Sequence, residues 1–318
     1  MDVNEFEQHR SHLFSLAYRM LGSASEAEDV VQDAWLRSST AELGEIRSPR
    51  AYLMTVVTRL ALDRLKSARV AREQYIGPWL PEPVLTDGTS RPDESVALAE
   101  SLTLAFMVLL DTLSPEERAV FVLREVLEYT HAEIAEILKI AEANCRQLFH
   151  RAKERLREGQ PRSARPREQK PVDDARAGRQ LAERFVTAMR KGDGAELTRV
   201  LAEDVGLWGD GGGRVAAARR PVLGRDAVVN LLLGIRRTAA AAGYPLEKIS
   251  AEVIEVNYEP AMLVRFEGHI DSVYVCSIED DVITGIRMVR NPDKLVYLAR
   301  QLSASIMQRR EGHHGTAN

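Results

Sequence analysis

The sequence predicts a multidomain protein: two all-α modules, the second of helix-turn-helix pattern, followed by an α+β domain. Three observations carry that prediction. Apolar residues recur at helical spacing up to about residue 157, Pro- and Gly-punctuated stretches interrupt that pattern twice, and short β-like runs take over beyond about residue 200. The composition fits a globular chain, with 45% apolar and 28% charged residues. The net charge of −4 gives no global attraction to nucleic acid, so any basic site is local. Cys145 and Cys276 are far apart and lack metal-ligand spacing, which predicts free thiols, a reducing cytoplasm and no metal. The start, MDVNEFEQHR, has no apolar signal region, and no run is long enough to span a bilayer.

Phe6, Leu13, Ala17 and Met20 mark a first helix that Gly22 stops. Ser25 and Glu28 form a capping-box pattern for a second, with Ala27, Val30, Val31, Ala34 and Trp35 on one face. A third begins at SPRAYL, with Ser48 as N-cap and Pro49 in the first turn. Its apolar stripe is Leu53, Val56, Val57 and Leu60. Residues 77–95 are rich in Pro, Gly and Asp and read as a linker.

Helical pattern resumes near Val96 and runs to about Arg157. Ser114 with Glu117, and Thr130 with Glu133, are two capping boxes. A short break at Lys139–Ile140 precedes a last helix whose buried stripe is Cys145, Leu148, Ala152 and Leu156. Arg146, Gln147, His150, Arg151 and Lys153 then point outward or sideways. Two short helices, a tight turn and a basic, polar second helix suit the DNA major groove. An ordinary helical hairpin with a solvated face has the same pattern, and the residues alone leave both readings open.

Charge separates the first module's helices. Arg47, Arg50, Arg59, Arg64, Lys66, Arg69 and Arg72 crowd the third, opposed by Asp63, as a phosphate-binding face would require. Glu26, Glu28, Asp29 and Asp33, with Gln32 among them, make the second acidic. An acidic face repels DNA and suits a basic protein partner; a solvated helix start favoured by the macrodipole is the alternative.

Taken together, SEAEDVVQDAWLR, SPRAYLMTVVTRLALDRLKSAR and the block LSPEERAVFVL…YTHAEIAEIL…RAKERL resemble a sigma-70 family factor of the extracytoplasmic-function (ECF) group. The resemblance implies region 2 over 1–76, the linker 77–95, and a region 4 helix-turn-helix over 96–158. It implies core RNA polymerase (β′ and β subunits) and promoter DNA as partners, with no cofactor, no catalytic activity and no membrane. Asp29, Gln32 and Asp33 would bind the β′ coiled coil. The loop 37–48 and the helix after it would hold and melt the −10 element, with Arg59, Asp63, Arg64 and Arg69 on the DNA face. Arg146, Gln147, His150 and Arg151 would address the −35 element. Leu60 stands where many members have Asn, which removes any base contact that Asn makes. The two promoter elements lie far apart, so a flexible linker between the readers is expected. Unstacking bases costs a few kcal/mol per step, and capture of a flipped base offsets part of it.

After a second polar linker, 159–174, the chain continues as 175–310 with a disordered tail expected over 311–318. Two helical stretches lead into VGLW, SAEVIEVNY, AMLVRF, DSVYVCSIE and VITGIRMVR, with one helix at about 225–241. This tail resembles a cone-shaped SnoaL/NTF2-like domain. ECF factors bearing it form a group often called SigJ-like, with three short signatures: WLPEP (Trp79, Leu80, Pro81 onward), DGGG (Asp210, Gly211, Gly212, Gly213, then Arg214 where Lys is usual) and NPDKL (Asn291, Pro292, Asp293, Lys294, Leu295).

The glycine run resembles a phosphate loop but lacks a helix start and a Gly-Lys-Ser/Thr ending. It reads as a hairpin turn, with glycines at positive φ, RVAAARRPVLG as the return strand and an Asp210–Arg214 pair flanking it. We expect the turn to face the linker near 79–83 and set the arrangement of the modules. Asp293 is expected to cap a last helix bearing Leu295, Leu298 and Leu302. Catalysis in the cone would need a buried carboxylate, for which Glu267, His269 and Asp271, with Tyr258 and Trp208 as liners, are the candidates. A small apolar ligand in the cone pocket, making the chain a one-component sensor, is the competing reading.

Overall fold

The computed structural model describes residues 1–39, 48–86, 102–158, 172–241 and 245–314, with the backbone alone at 69–71, 73, 172–175 and 308–314. Arg47, most of the loop 37–48 and the side chain of Arg69 therefore lie outside the described residues. The chain divides into two compact units: Met1–Gln74 with Phe106–Gln160, and Tyr75–Ala105 with Pro161–Asn318.

The first unit is all helix. α1 (Val3–Leu21) ends at Gly22, whose left-handed φ of 68° lets its N–H bond Tyr18 O. α2 (Ala24–Ser39) is capped two residues before the expected Ser25: Ser23 Oγ accepts from Glu26 N at 3.2 Å. Both Ser23-x-x-Glu26 and Ser25-x-x-Glu28 match the pattern, and the left-handed residue at 22 leaves Ser23 at the boundary. α3 (Pro49–Glu73) is capped by Ser48, as expected. These three helices pack on one another.

α4 (Leu104–Leu110) and α5 (Pro115–Phe121) follow, and α5 runs on into a π-helical turn, Val122–Val126. α6 (His131–Leu138) and α7 (Glu142–Glu158) form the helix-turn-helix, joined through Lys139 at φ 55°. Both capping boxes are present as expected, at Ser114/Glu117 and Thr130/Glu133. Cys145, Leu148, Ala152 and Leu156 are the buried stripe of α7. Helix α3 contacts α5 and α6, so the two predicted helical readers form one compact unit rather than two independent bodies. A charge node around the buried Arg118 contributes. Asp111 accepts from Arg72 of α3 and, at 3.2 Å, from Arg118 of α5, while Arg118 Nε donates to Arg19 O of α1. Burial, partly offset by Asp111, lowers the Arg118 pKa to about 10.

In the second unit α8 (Val172–Lys191) and α9 (Gly194–Val200) precede a six-stranded sheet of order β2-β1-β6-β5-β4-β3. The strands are β1 (Leu201–Asp210), β2 (Val222–Leu223), β3 (Ile249–Val256), β4 (Glu259–Phe266), β5 (His269–Glu279) and β6 (Val282–Val289). Only β1–β6 is parallel, so the α+β class with a mostly antiparallel sheet is borne out. α10 (Arg225–Ala241) lies between β2 and β3. α8, α9 and α10 cover one sheet face, filled by Phe185, Leu207, Leu232, Met262, Tyr274 and Met288. α11 (Pro292–His314) contacts β5, with Leu295 and Leu298 buried. It is helical through His314, where the sequence predicts a disordered tail from 311; residues 315–318 lie outside the described residues.

The glycine run is a turn, with Gly212 and Gly213 at φ 58° and 71° as expected. The return strand is not as expected: β2 is two residues long, and 214–221 is an irregular excursion. Arg290 Nη1 donates to Ala216 O at 2.8 Å, which holds that excursion away from strand pairing. Among the described residues no helix is long and apolar enough to cross a membrane.

The Ser114 cap is testable. Ser114→Ala is expected to lower the unfolding free energy by about 1 kcal/mol, seen as a lower urea midpoint at unchanged slope. An unchanged midpoint would refute the cap's contribution.

Candidate functional site

The three signatures, in the linker, the turn after β1 and the start of α11, converge on one carboxylate. Asp210, the last residue of β1, is fully buried. Its Oδ1 accepts from Tyr75 Oη at 2.6 Å and from Gly212 N at 3.1 Å. Its Oδ2 accepts from Leu80 N at 2.8 Å and from Lys294 Nζ at 2.7 Å. Lys294 also donates to Leu80 O at 2.5 Å and lies over the rings of Trp79 (4.1 Å) and Tyr75 (4.7 Å). Asn291 donates from Nδ2 to Tyr75 Oη at 2.8 Å. A buried carboxylate with four donors and a buried ammonium between two rings fix the segment 75–80 against the C-terminal domain. Burial, and next the Asp210 carboxylate, push the Tyr75 pKa up, so its hydroxyl stays a donor.

Glycine is needed at the turn for two reasons. Gly212 and Gly213 carry positive φ, and a Cβ at Gly212 would lie 2.3 Å from Asn291 Nδ2. Two details differ from the sequence reading. Arg214 pairs with Asp293 (2.7 Å) instead of Asp210, because Asp210 is enclosed by linker and Lys294. The cap of α11 is Asn291, whose Oδ1 accepts from Asp293 N at 3.2 Å, leaving the exposed Asp293 carboxylate to Arg214. Pro81 and Leu80 are buried, and the first linker is held over 75–86 rather than free, since its amides find acceptors on the sheet domain. Tyr75 was missed from sequence; the one available signal was a hydroxyl-bearing ring directly before a signature-bearing linker.

In the first unit the acidic helix presents Asp29 and Gln32 exposed and Asp33 half-buried. Arg64 of α3 reaches across to them, 2.9 Å from Asp33 and 3.4 Å from Asp29, and donates to Glu26 O at 3.1 Å. Arg59 is also engaged: Nε donates to Ile137 O at 2.8 Å and Nη2 to Glu136 O at 3.4 Å, at the C-terminal end of α6 where the helix dipole favours a cation. Asp63 is exposed, and Leu60 is buried in the stripe. On α7, Arg146, Gln147, His150 and Arg151 are all exposed on the face opposite the buried stripe. Arg146 pairs with Glu142 at 2.6 Å. Arg151 (3.6 Å) and Arg155 (2.8 Å) flank the buried Glu117 carboxylate of α5, which ties α7 to α5.

The candidate catalytic residues are not brought together. Glu267 and His269 are exposed at the β4–β5 turn, with Glu267 bonded to Lys248. Asp271 pairs with Arg290 at 3.1 Å, Tyr258 sits in the β3–β4 turn, and the Trp208 ring receives the Arg287 guanidinium at 5.2 Å.

A helix-turn-helix with an exposed basic face, preceded by a three-helix module with acidic and basic faces, defines a DNA-binding transcription protein. Residues 6–70 match Sigma-70 region 2 and residues 103–156 match Sigma-70, region 4. The chain is 36% identical over 299 residues to the ECF RNA polymerase sigma factor SigJ of Mycobacterium tuberculosis, covering 92% of this chain and 93% of that protein. It is 32% identical over 297 residues to the probable ECF sigma factor SigI of the same species, covering 92% and 94%. The crystal structure of M. tuberculosis SigJ aligns with a TM-score of 0.71 at 33% identity, over 93% of this chain and 99% of that one. The chain belongs to the ECF RNA polymerase sigma factors, with sigma-type helical regions followed by a mixed-sheet domain. As such it is a transcription factor whose regions 2 and 4 imply core polymerase and promoter DNA.

Removing one partner from a buried pair leaves an uncompensated charge. Asp210→Asn is expected to destabilise the folded chain by about 3–5 kcal/mol, and Asp210→Asn with Lys294→Met by less than that. Equal losses in the single and double variants, measured by urea unfolding, would show that the two groups do not depend on each other.

Proposed function

We propose that this ECF sigma factor binds core polymerase and directs promoter-specific initiation, with its output governed by its own C-terminal domain through the Asp210 hub. The carrying observation is that hub: Tyr75 just before the linker and Leu80 within it, Asp210 and Gly212 of the turn, and Asn291 and Lys294 at the start of α11 share one buried hydrogen-bond cluster. The linker joins the segments that match regions 2 and 4, so whatever loosens the hub changes the freedom between them.

The site roles follow. Asp29, Gln32 and Asp33 form the polymerase face, Arg59, Asp63, Arg64 and Arg69 the −10 face, and Arg146, Gln147, His150 and Arg151 the −35 face. Arg64 is shared between an acidic cluster and its DNA role, and Arg59 is shared between helix α6 and its DNA role. Both arginines must exchange internal partners for external ones. The compact first unit is accordingly the resting form, because one small body cannot reach two distant promoter elements.

In vitro transcription with purified core polymerase tests the reading. The full chain is expected to direct defined starts, and Asp210→Ala is expected to change output while core binding, read by pull-down, persists. Unchanged output from a hub variant would remove the regulatory claim, and failure to bind core would remove the whole reading. A second expectation concerns base reading: Arg146→Ala weakens binding at one −35 position by about 1–3 kcal/mol. Uniform weakening across all sequences would make Arg146 a phosphate contact instead.

A further inference from the structure

The edge of the sheet opposite β2 is β3. An edge strand exposes main-chain groups that an extended segment can pair with. Here the linker pairs with it. Leu85 bridges Val256 in antiparallel sense, Thr86 N donates to Glu255 O (3.1 Å), and Asn257 N donates to Val84 O (2.9 Å). Side chains complete the set. Asn257 Oδ1 accepts from Val84 N (3.0 Å), Gln301 Oε1 from Leu85 N (2.8 Å), and Thr86 Oγ1 from Tyr258 N (2.8 Å).

The same turn also takes the chain where it returns. Asn257 Nδ2 donates to Leu102 O (2.8 Å), and Glu259 Oε2 accepts from Leu104 N (2.8 Å). Asn257 is 1% exposed and Glu259 7%. The other Glu259 oxygen accepts from Ser277 Oγ at 2.7 Å, which in turn accepts from Arg287 Nη1 at 2.7 Å. Glu259 is thereby oriented by a buried guanidinium one strand further on, and the carboxylate is not left uncompensated. The turn that presents these groups is itself unusual. Asn257 and Tyr258 both have positive φ, 53° and 59°. Asn tolerates that conformation, whereas a tyrosine there is strained.

We infer that the β3–β4 turn is a second docking site, with Asn257 and Glu259 as its key residues and this chain's own linker as its occupant. It grips mainly main-chain groups on both sides of 87–101, with Thr86 Oγ1 the one linker side chain in the set, whereas the Asp210 hub holds the signature segment. The division of labour is that the hub fixes the linker where it leaves region 2, and the turn fixes it where it enters region 4. Neither Asn257 nor Glu259 belongs to the three signatures. Full release requires both sites to open. This regulatory consequence rests on the hub reading given above; the docking itself does not.

Hydrogen exchange on the full chain separates the two sites. Asn257→Ala is expected to speed exchange of the 84–86 and 102–104 amides by about tenfold, as loss of a buried partner implies, while Leu80 keeps its protection. Asp210→Asn is expected to do the reverse. Amides of Val273 and Val275 report whether the sheet stays intact; if Asn257→Ala loosens them, Glu259→Gln decides through the Leu104 amide alone. Unchanged exchange at 84–86 and 102–104, or at Leu104 in Glu259→Gln, with the sheet intact overturns the docking site. In transcription assays the Asp210→Asn, Asn257→Ala double variant is expected to shift output further than Asp210→Asn. Equality of those two, with Asp210→Asn active in the assay, overturns the role of the turn alone. If every variant matches the wild type, the hub reading falls instead.

Discussion

A carboxylate with no exposure to water must find its compensation inside the fold, and three of the four donors to Asp210 come from groups distant in sequence. Tyr75, Leu80, Gly212 and Lys294 each supply one donor. That one requirement organises much of the second unit. It fixes the turn after β1, which is why glycine stands at 212 with positive φ and no room for a Cβ. It buries Lys294 between two rings, and it converts a Pro-rich segment, which composition marks as a free tether, into part of a domain surface.

The first unit obeys a complementary constraint. Four of its arginines find partners inside the fold. Arg64 bridges to Asp29 and Asp33, Arg59 caps the C-terminal end of α6, and Arg72 and Arg118 share Asp111. The exposed pairs among these are weak and screened by salt, as the exchange of partners proposed above requires. The buried Arg118 contact is different in kind, since burial already lowers the Arg118 pKa to about 10 and losing Asp111 would leave its charge exposed to that environment. Surface pairs are thus suited to exchange and the Asp111 node to holding.

Local patterns were legible in the sequence wherever a single stretch of chain decides the outcome. Ser114/Glu117 and Thr130/Glu133 read as capping boxes because both partners lie within one turn, and the stripe Cys145, Leu148, Ala152 and Leu156 reads from spacing alone. Ser25/Glu28 was displaced by two residues because the preceding left-handed Gly22 chose between two overlapping patterns. Partner choice was not legible. Arg214 is four residues from Asp210 yet pairs with Asp293, and 214–221 stays out of the sheet because Arg290 takes Ala216 O. Asn257 and Glu259 carried no local signal and Tyr75 only its place before the linker: their roles exist only once the linker lies on the sheet. That the three signatures meet was inferable from their resemblance to a known group; that a fully buried Asp210 is where they meet was not.

The central claim is that holding the linker on the turn after β1 controls initiation. A reversible covalent lock addresses it most directly. The Cβ of Ile76 lies 3.4 Å from where a Cβ at position 213 would stand, close to the separation a disulfide needs. With Ile76→Cys and Gly213→Cys, the oxidised and reduced forms of one protein sample can be compared on core polymerase, and the strain of a Cys at φ 71° is common to both forms. The account predicts that oxidation changes promoter-directed output and that reduction restores it, with core binding the same in both states. Identical output from a fully formed disulfide and its reduced form would contradict it.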